Sequence, residues 1–187
     1  MPVLETGRWP AIYSLKDLQK AIREILASGA EFESKFYVKG RTDDPLVCQG
    51  DVVELRSPLP LLDENGEPAV HDGADFEHWL VVSNTCDHER ATSVQLSPLI
   101  VLQAEVGAND ISTLKRYEYA KRFYVPPWPG GHDERHRVAD FTQSTVLLKT
   151  ALTNGSAKIV GRLDFPGWAL LHTCLVMYLA RDDGRFD

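Results

Sequence analysis

The sequence has no apolar run close to the roughly 20 residues that a membrane-spanning helix requires. Its first residues also lack the basic segment followed by an apolar segment that marks a secretory signal. We therefore expect a protein that resides in the cytoplasm and has no membrane partner.

Cysteine is scarce as well, with three residues in the chain: Cys48, Cys86 and Cys174. The number is odd, the spacing is wide and no Cys-x-x-Cys pair occurs, which excludes a disulfide framework and favours a reducing compartment. A zinc site built from Cys48, Cys86, His78 and His88 is disfavoured, because only Cys86 and His88 have the short spacing of paired ligands. The sequence therefore predicts no metal and no cofactor.

Basic residues are in the minority, with 20 Lys and Arg against 27 Asp and Glu and a net charge of −7. Such a chain is a poor candidate for coating nucleic acid without specificity, although a local basic groove remains compatible with it. The apolar share of 43% and the charged share of 25% are ordinary for a globular protein. They exclude a disordered chain, a coiled coil and a collagen-like fibre.

Apolar residues at helical spacing predict an amphipathic helix over 15–28. A second, wider apolar surface follows Pro166 and runs to about residue 180, and it predicts a C-terminal helix that packs against a sheet or a partner. A shorter helix is expected over 110–121.

Extended patterns dominate the middle of the chain. Residues 79–82 form an uninterrupted apolar run, which is typical of a strand covered on both faces, and 94–102 predict a strand bent or broken at Pro98. The acidic stretch 57–78 reads as a long mobile loop, and 146–148 and 159–160 as two strands that frame a turn.

These elements predict a mainly β fold with flanking helices, a small and strongly bent barrel with its core over 47–102. We expect a single domain over 1–187. It divides into an N-terminal arm and helix (1–34), a barrel with insertions (35–165) and a C-terminal helix (166–181).

Three short motifs stand in a recognisable order. They are Gly50-Asp51-Val52-Val53-Glu54-Leu55, Leu80-Val81-Val82-Ser83-Asn84 and Val94-Gln95-Leu96-Ser97-Pro98-Leu99. In this order they resemble the MazF/PemK family of small-barrel toxins. The resemblance implies an SH3-like (PemK-like) barrel in a bacterial protein, toxin-like or defence-associated, that binds nucleic acid, RNA above all.

Two positions differ from that family. Its toxins place an arginine just before the second motif and a threonine just after the third, and both serve RNA cleavage. The matching positions here are Glu77 or His78, and Ile100. Because isoleucine can neither donate nor accept a hydrogen bond and glutamate repels a phosphate, the resemblance implies the barrel and leaves ribonuclease activity open.

The densest chemical cluster is Cys86-Asp87-His88, where the predicted buried strand passes into a loop, with His78 before the same strand. A cysteine beside a base or a cation acquires a lowered pKa and can act as a nucleophile. Cys86, Asp87, His88 and His78 are therefore the catalytic candidates of a Cys86-dependent hydrolase or transferase. The alternative is a buried thiol beside a solvated turn, with Asp87 capping local N–H groups.

A basic cluster follows, interleaved with aromatic residues. The basic members are Lys115, Arg116, Lys121, Arg122, Arg135 and Arg137, and the aromatic members are Tyr117, Tyr119, Phe123, Tyr124 and Trp128. Such a pattern can hold a single strand by phosphate contacts and base stacking. Equally, the aromatic residues can be core and the charges a solvated face.

The first functional hypothesis is thus an RNA-binding or other nucleic-acid-binding module. The second is a protein-interaction module without catalysis, in which the acidic segment 63–77 and the C-terminal helix dock a cognate protein. The third is the Cys86-dependent enzyme. A homodimer is compatible with each of them.

Overall fold

The computed structural model describes residues 15–39, 46–55, 60–62, 68–70, 77–84, 92–102, 108–129, 135–153 and 157–179. The helices are α1 (Leu15–Leu26), α2 (Ala30–Ser34), α3 (Ala108–Lys115), α4 (Lys149–Thr153) and α5 (Phe165–Leu179). The strands are β1 (Asp51–Leu55), β2 (Pro60–Leu62), β3 (Pro68–Val70), β4 (His78–Val81), β5 (Ser93–Val101), β6 (Arg122–Val125), β7 (Arg137–Asp140), β8 (Thr145–Leu148) and β9 (Ala157–Arg162).

Seven of the strands form one antiparallel sheet in the order β6-β7-β5-β4-β1-β9, with β8 paired to β5 beside this path. The nine residues of β5 organise the sheet, since 93–96 pair with β8 and 99–101 pair with β7. The predicted strand at this position is confirmed. It runs through Pro98, which pairs with Trp79 of β4.

The predicted mainly β fold with flanking helices is confirmed, but the sheet does not close into a barrel among the described strands. Tyr37 lies between the two ends of the sheet. Its backbone bridges Leu163 just after β9, and its hydroxyl donates to the carbonyl of Pro126 just after β6, at 2.5 Å. One backbone bridge and one side-chain hydrogen bond thus stand where a closed barrel would have a continuous ladder of backbone hydrogen bonds.

The central strand β4 has both faces buried, as its apolar run predicts. It pairs with β1 on one side and β5 on the other. Leu80 enters the larger core, which the sheet shares with the helices, whereas Trp79 and Val81 enter a smaller core on the opposite face. Because successive side chains of a strand point to opposite faces, residues 79–82 must all be apolar to contribute to both cores.

The two long helices confirm the predicted segments. α1 buries Leu18, Ile22 and Ile25 in the larger core. α5 buries Leu171 and Cys174 in the same core and packs against α1. Most of the apolar surface of α5 is therefore covered within the chain, whereas Phe165 and Leu179 at its two ends are exposed. Over the described ranges, none of the helices has the length and apolarity to cross a membrane.

Three local expectations were wrong, and one strand was not predicted. The helix predicted over 110–121 ends at Lys115, and the strand without a prediction is β7. Residues 57–78 include β2 and β3, which pair with each other. Strands β8 and β9 do not frame a common turn, because α4 intervenes and they pair with β5 and β1 respectively.

Candidate nucleic-acid interface

A cleft of about 500 Å³ lies between α2, α3 and the strands β6 and β7. Aromatic side chains form much of its wall: Phe32, Phe36, Tyr37, Tyr117 and Tyr124. Lys115, Arg116, Glu33 and His136 supply charged and polar groups to the same lining. A volume of this size is in the range of small-molecule sites.

The basic side chains at the cleft are positioned by the end of α3. The Lys115 amino group lies 3.9 Å from a Glu33 carboxylate oxygen and 5.7 Å from the centre of the Tyr124 ring. The Arg116 guanidinium lies 3.5 Å from Glu118, and its Nη2 donates to the Thr113 hydroxyl at 3.2 Å. Exposed ion pairs at these distances are weak, so the cations remain able to exchange a carboxylate for a phosphate.

Helix α3 stops because Tyr117 adopts the left-handed backbone conformation, with φ of 55°. This conformation is costly for a residue with a large side chain, and it is stabilised here by packing of the buried ring against Phe123 and Tyr124. The reversal lets Tyr117 point inward while its neighbours Arg116 and Glu118 stay exposed.

We define residues 115–122 as the basic turn. Lys115, Arg116, Lys121 and Arg122 are all exposed on it. Arg122 and Tyr124 share one face of β6, since they are two residues apart on a strand. The structure thus brings together four of the six predicted nucleic-acid contacts, and Arg135 is exposed just before β7.

Arg137 does not join this face. Its side chain is buried, with the guanidinium carbon 4.4 Å from the centre of the Trp128 ring and Nη1 donating to the carbonyl of Arg135 at 3.0 Å. It pairs across the sheet with Val125 and so lies on the opposite face of the sheet from Tyr124. Arg137 is therefore an interior cation stacked on an aromatic ring, not a surface contact for a phosphate.

Most of the aromatic residues in the pattern are also interior. Tyr117, Phe123, Tyr124 and Trp128 are buried, whereas Tyr119 is 49% exposed. Of this set only Tyr119 is exposed, so the alternative interpretation of the aromatic residues as core is correct for the other four.

A polar pair borders the cleft. The Tyr124 hydroxyl lies 2.6 Å from Nδ1 of His136. Burial raises the pKa of Tyr124 to about 12, with a smaller contribution from Glu33. The hydroxyl therefore keeps its proton at neutral pH, and it can donate to an unprotonated Nδ1 of His136.

The structure describes only one of the four predicted catalytic residues. Cys86, Asp87 and His88 lie outside the described residues. His78 is half-buried at the start of β4, where its ring lies 4.9 Å from that of Trp128 and its Nδ1 4.0 Å from a Glu77 oxygen. The chain travels about 10 Å from residue 78 to residue 81 at strand spacing, so His78 lies at the opposite end of β4 from the exit toward Cys86.

A polar cluster that the sequence did not predict joins Val82, just after β4, to α5. The Gln49 amide donates to the carbonyl of Val82 at 2.8 Å and accepts from the Trp168 indole at 2.9 Å. Nδ1 of His172 lies 3.5 Å from the same Gln49 oxygen, and burial lowers the pKa of His172. The available signal was weak: a tryptophan and a histidine inside an apolar helix, without an indication of their partner.

Within the described part of the chain, no group of three or more His, Cys, Asp or Glu side chains is arranged to hold a metal ion. Comparison of the chain with protein-family models and with curated proteins gives no match.

Proposed function

We propose that this protein binds single-stranded nucleic acid, RNA above all, through the basic turn and the cleft beside it. One observation carries the proposal: Lys115 and Arg116 belong to both features, exposed at the turn and lining the cavity. A phosphate held by these side chains places the attached nucleoside at the cleft. A double helix cannot use this arrangement, because its bases are stacked and paired.

The charge distribution supports the proposal. The eight residues of the basic turn contain four basic side chains and one acidic side chain, in a chain whose net charge is −7. A local concentration of cations attracts phosphates even where the whole molecule is negative. The existing carboxylate partners at 3.5 to 4.0 Å are exchanged at small cost because they are solvent-exposed or distant.

The cleft supports recognition of a base by its polar edge. Its aromatic side chains are buried and contact one another, so they leave little exposed ring surface for stacking. The Tyr124 hydroxyl and the His136 ring provide hydrogen-bonding groups at the lining. Tyr119 provides the exposed ring on which a neighbouring base can stack.

We further propose that the neighbouring strands β1, β4 and β5 are a PemK-like, SH3-like core. Support comes from the three sequence motifs. The first begins at Gly50-Asp51 where β1 starts, and the second and third overlap β4 and β5, which are consecutive neighbours in the sheet. Gly50 has φ of 90°, and a Cβ atom added to it would lie 3.1 Å from the Leu163 side chain. This position therefore requires glycine.

Binding is tested by fluorescence anisotropy with a labelled twelve-nucleotide single-stranded RNA, the DNA of the same sequence and the RNA duplex. Lys115→Gln and Lys121→Gln are compared with Lys158→Gln, which removes an exposed charge from β9 at the far end of the sheet. We expect the RNA to bind best, with an affinity that falls with salt. Each lost phosphate contact should reduce the slope of log K against log salt by about 0.7. Equal affinity of all three variants, or affinity independent of salt, overturns the proposal.

The toxin-like role is tested separately by inducing the protein in a bacterial host. We expect growth to slow with the wild-type chain and to recover with the Lys115→Gln/Lys121→Gln double variant at equal expression. Unchanged growth with the wild-type chain contradicts the toxin-like role and leaves binding in vitro as the measured property.

A further inference from the structure

A second cavity, of about 430 Å³, lies between α1 and the basic turn. α1 contributes Gln19, Arg23 and Leu26 to it, and the basic turn contributes Arg116 and Glu118. This cavity shares Leu26, Arg116 and Tyr117 with the cleft described above, so the two cavities are adjacent, and together we call them the groove.

The groove follows α1 over more than the length of one nucleotide. The lining of the second cavity extends along the helix from Gln19 to Ala27, which corresponds to about 12 Å at 1.5 Å per residue. Beyond Leu26, the cleft continues the groove to Gly29 and Glu33. Stacked nucleotides advance about 3.4 Å along one strand, so the second cavity alone spans about three of them.

Cations mark the course of this groove. Arg23 is exposed at its α1 side, Arg116 lines both cavities, and Lys115 lines the cleft. Arg116 contacts Glu118 and Thr113 and still has further N–H donors, because a guanidinium carries five. Glu118 is the acidic residue of the second cavity, and the Arg116 guanidinium 3.5 Å away offsets its repulsion of a phosphate.

The junction between the two cavities is held by the left-handed residue Tyr117. Its buried ring contacts the rings of Phe123 and Tyr124, so the backbone that carries Arg116 is anchored to the core. A strained residue held in place by its surroundings is more often found where a side chain must be positioned for binding than elsewhere on a surface.

We infer that the groove binds an extended single strand of three or more nucleotides, with one nucleotide at the cleft and the following phosphates along Arg116 and Arg23. This inference rests on the proposed function and assigns its substrate class: an oligonucleotide, not a free mononucleotide. Affinity should therefore increase with strand length until the strand reaches Arg23, and Arg23 should matter only for strands that reach it.

The test measures the affinity of fluorescein-labelled oligouridylates of two and six nucleotides for Arg23→Gln, Lys115→Gln and a matched control. The control is Lys20→Gln, which removes a charge from the same helix, is 70% exposed and lines neither cavity. We expect Arg23→Gln to weaken the hexamer about fourfold at physiological salt, the size of one lost phosphate contact, and to leave the dimer unchanged. Lys115→Gln should weaken both lengths, and the melting temperature of each variant should match that of the wild type.

The outcomes separate the two claims. If Arg23→Gln affects both lengths equally, or affects the hexamer no more than Lys20→Gln does, the extended groove is wrong. Sensitivity of the dimer to Lys115→Gln then still supports binding at the cleft. If neither length binds the wild-type protein, the proposed function itself fails.

Discussion

Arg162 holds the carboxylate of Asp51 by two hydrogen bonds, from Nε to Oδ1 at 2.7 Å and from Nη2 to Oδ2 at 2.9 Å. The pair joins the first residue of β1 to the last residue of β9. The Asp51 side chain has no exposed surface, and it also accepts a hydrogen bond from the backbone N–H of Cys48 at 2.7 Å. A buried carboxylate is stable here because a cation and a backbone donor replace its water.

Asp51→Asn should lower the free energy of unfolding by about 3–5 kcal/mol, since it removes the charge that compensates a mostly buried guanidinium. Urea unfolding measures this loss. The double variant Asp51→Asn/Arg162→Gln should lose less than the sum of the two single variants, because the second substitution removes the uncompensated charge. Strictly additive losses would show that the two side chains do not stabilise each other.

Val81→Asp should destabilise the protein by several kcal/mol, because it places a charge between β1 and β5 in the smaller core. Val146→Asp is a matched control, since Val146 is also on a strand but is 65% exposed. The control should change the free energy of unfolding by less than about 0.5 kcal/mol. Similar melting temperatures for both variants would contradict the central position of β4.

The long helices and β4 could be predicted because their signals are local. Apolar residues at helical spacing in α1 and the unbroken apolar run in β4 indicate which faces of these elements are buried. β7 was missed because Arg137 reads as a surface residue. Its guanidinium stacks on Trp128, which packs closely on Gly161, where a Cβ would lie 3.2 Å from that tryptophan. Such a relationship between three distant residues leaves no periodic pattern.

The residues of the candidate site also differ in whether the sequence could predict their role. The basic residues of 115–122 were visible as a run in the sequence, but the role of each aromatic neighbour depends on which way the chain turns at Tyr117. Glu33 and Arg23 join the groove through the packing of α1 and α2 beside α3, which no spacing in the sequence indicates. A closed barrel was predicted wrongly for a similar reason, since the sequence does not indicate that Tyr37 contacts residues near both ends of the sheet.

Stability should fall between neutral and mildly acidic pH, in part through His172. Burial lowers the pKa of His172 below 6.5, so the unfolded chain binds more protons than the folded protein in this range. The contribution of the neutral ring is complete above about pH 6.5 and is lost as the pH falls through the lowered pKa. His172→Gln should therefore flatten the dependence of the melting temperature on pH, and parallel curves for the two proteins would contradict this.

The three cysteines should differ in their reaction with iodoacetamide. Burial in α5 raises the pKa of the Cys174 thiol well above its ordinary value, so little thiolate is present near neutral pH and no reagent reaches it before unfolding. Cys48 is half-buried and should be alkylated in the native protein at a measurable rate. Rates are followed by mass spectrometry of the native and urea-unfolded chains, with Cys174→Ala to assign the slow site. Cys86 is predicted from its sequence neighbours to react fastest. A Cys86 that stays unmodified until unfolding would remove the covalent-catalysis hypothesis, and a Cys174 that reacts as fast as Cys48 would contradict the burial of α5.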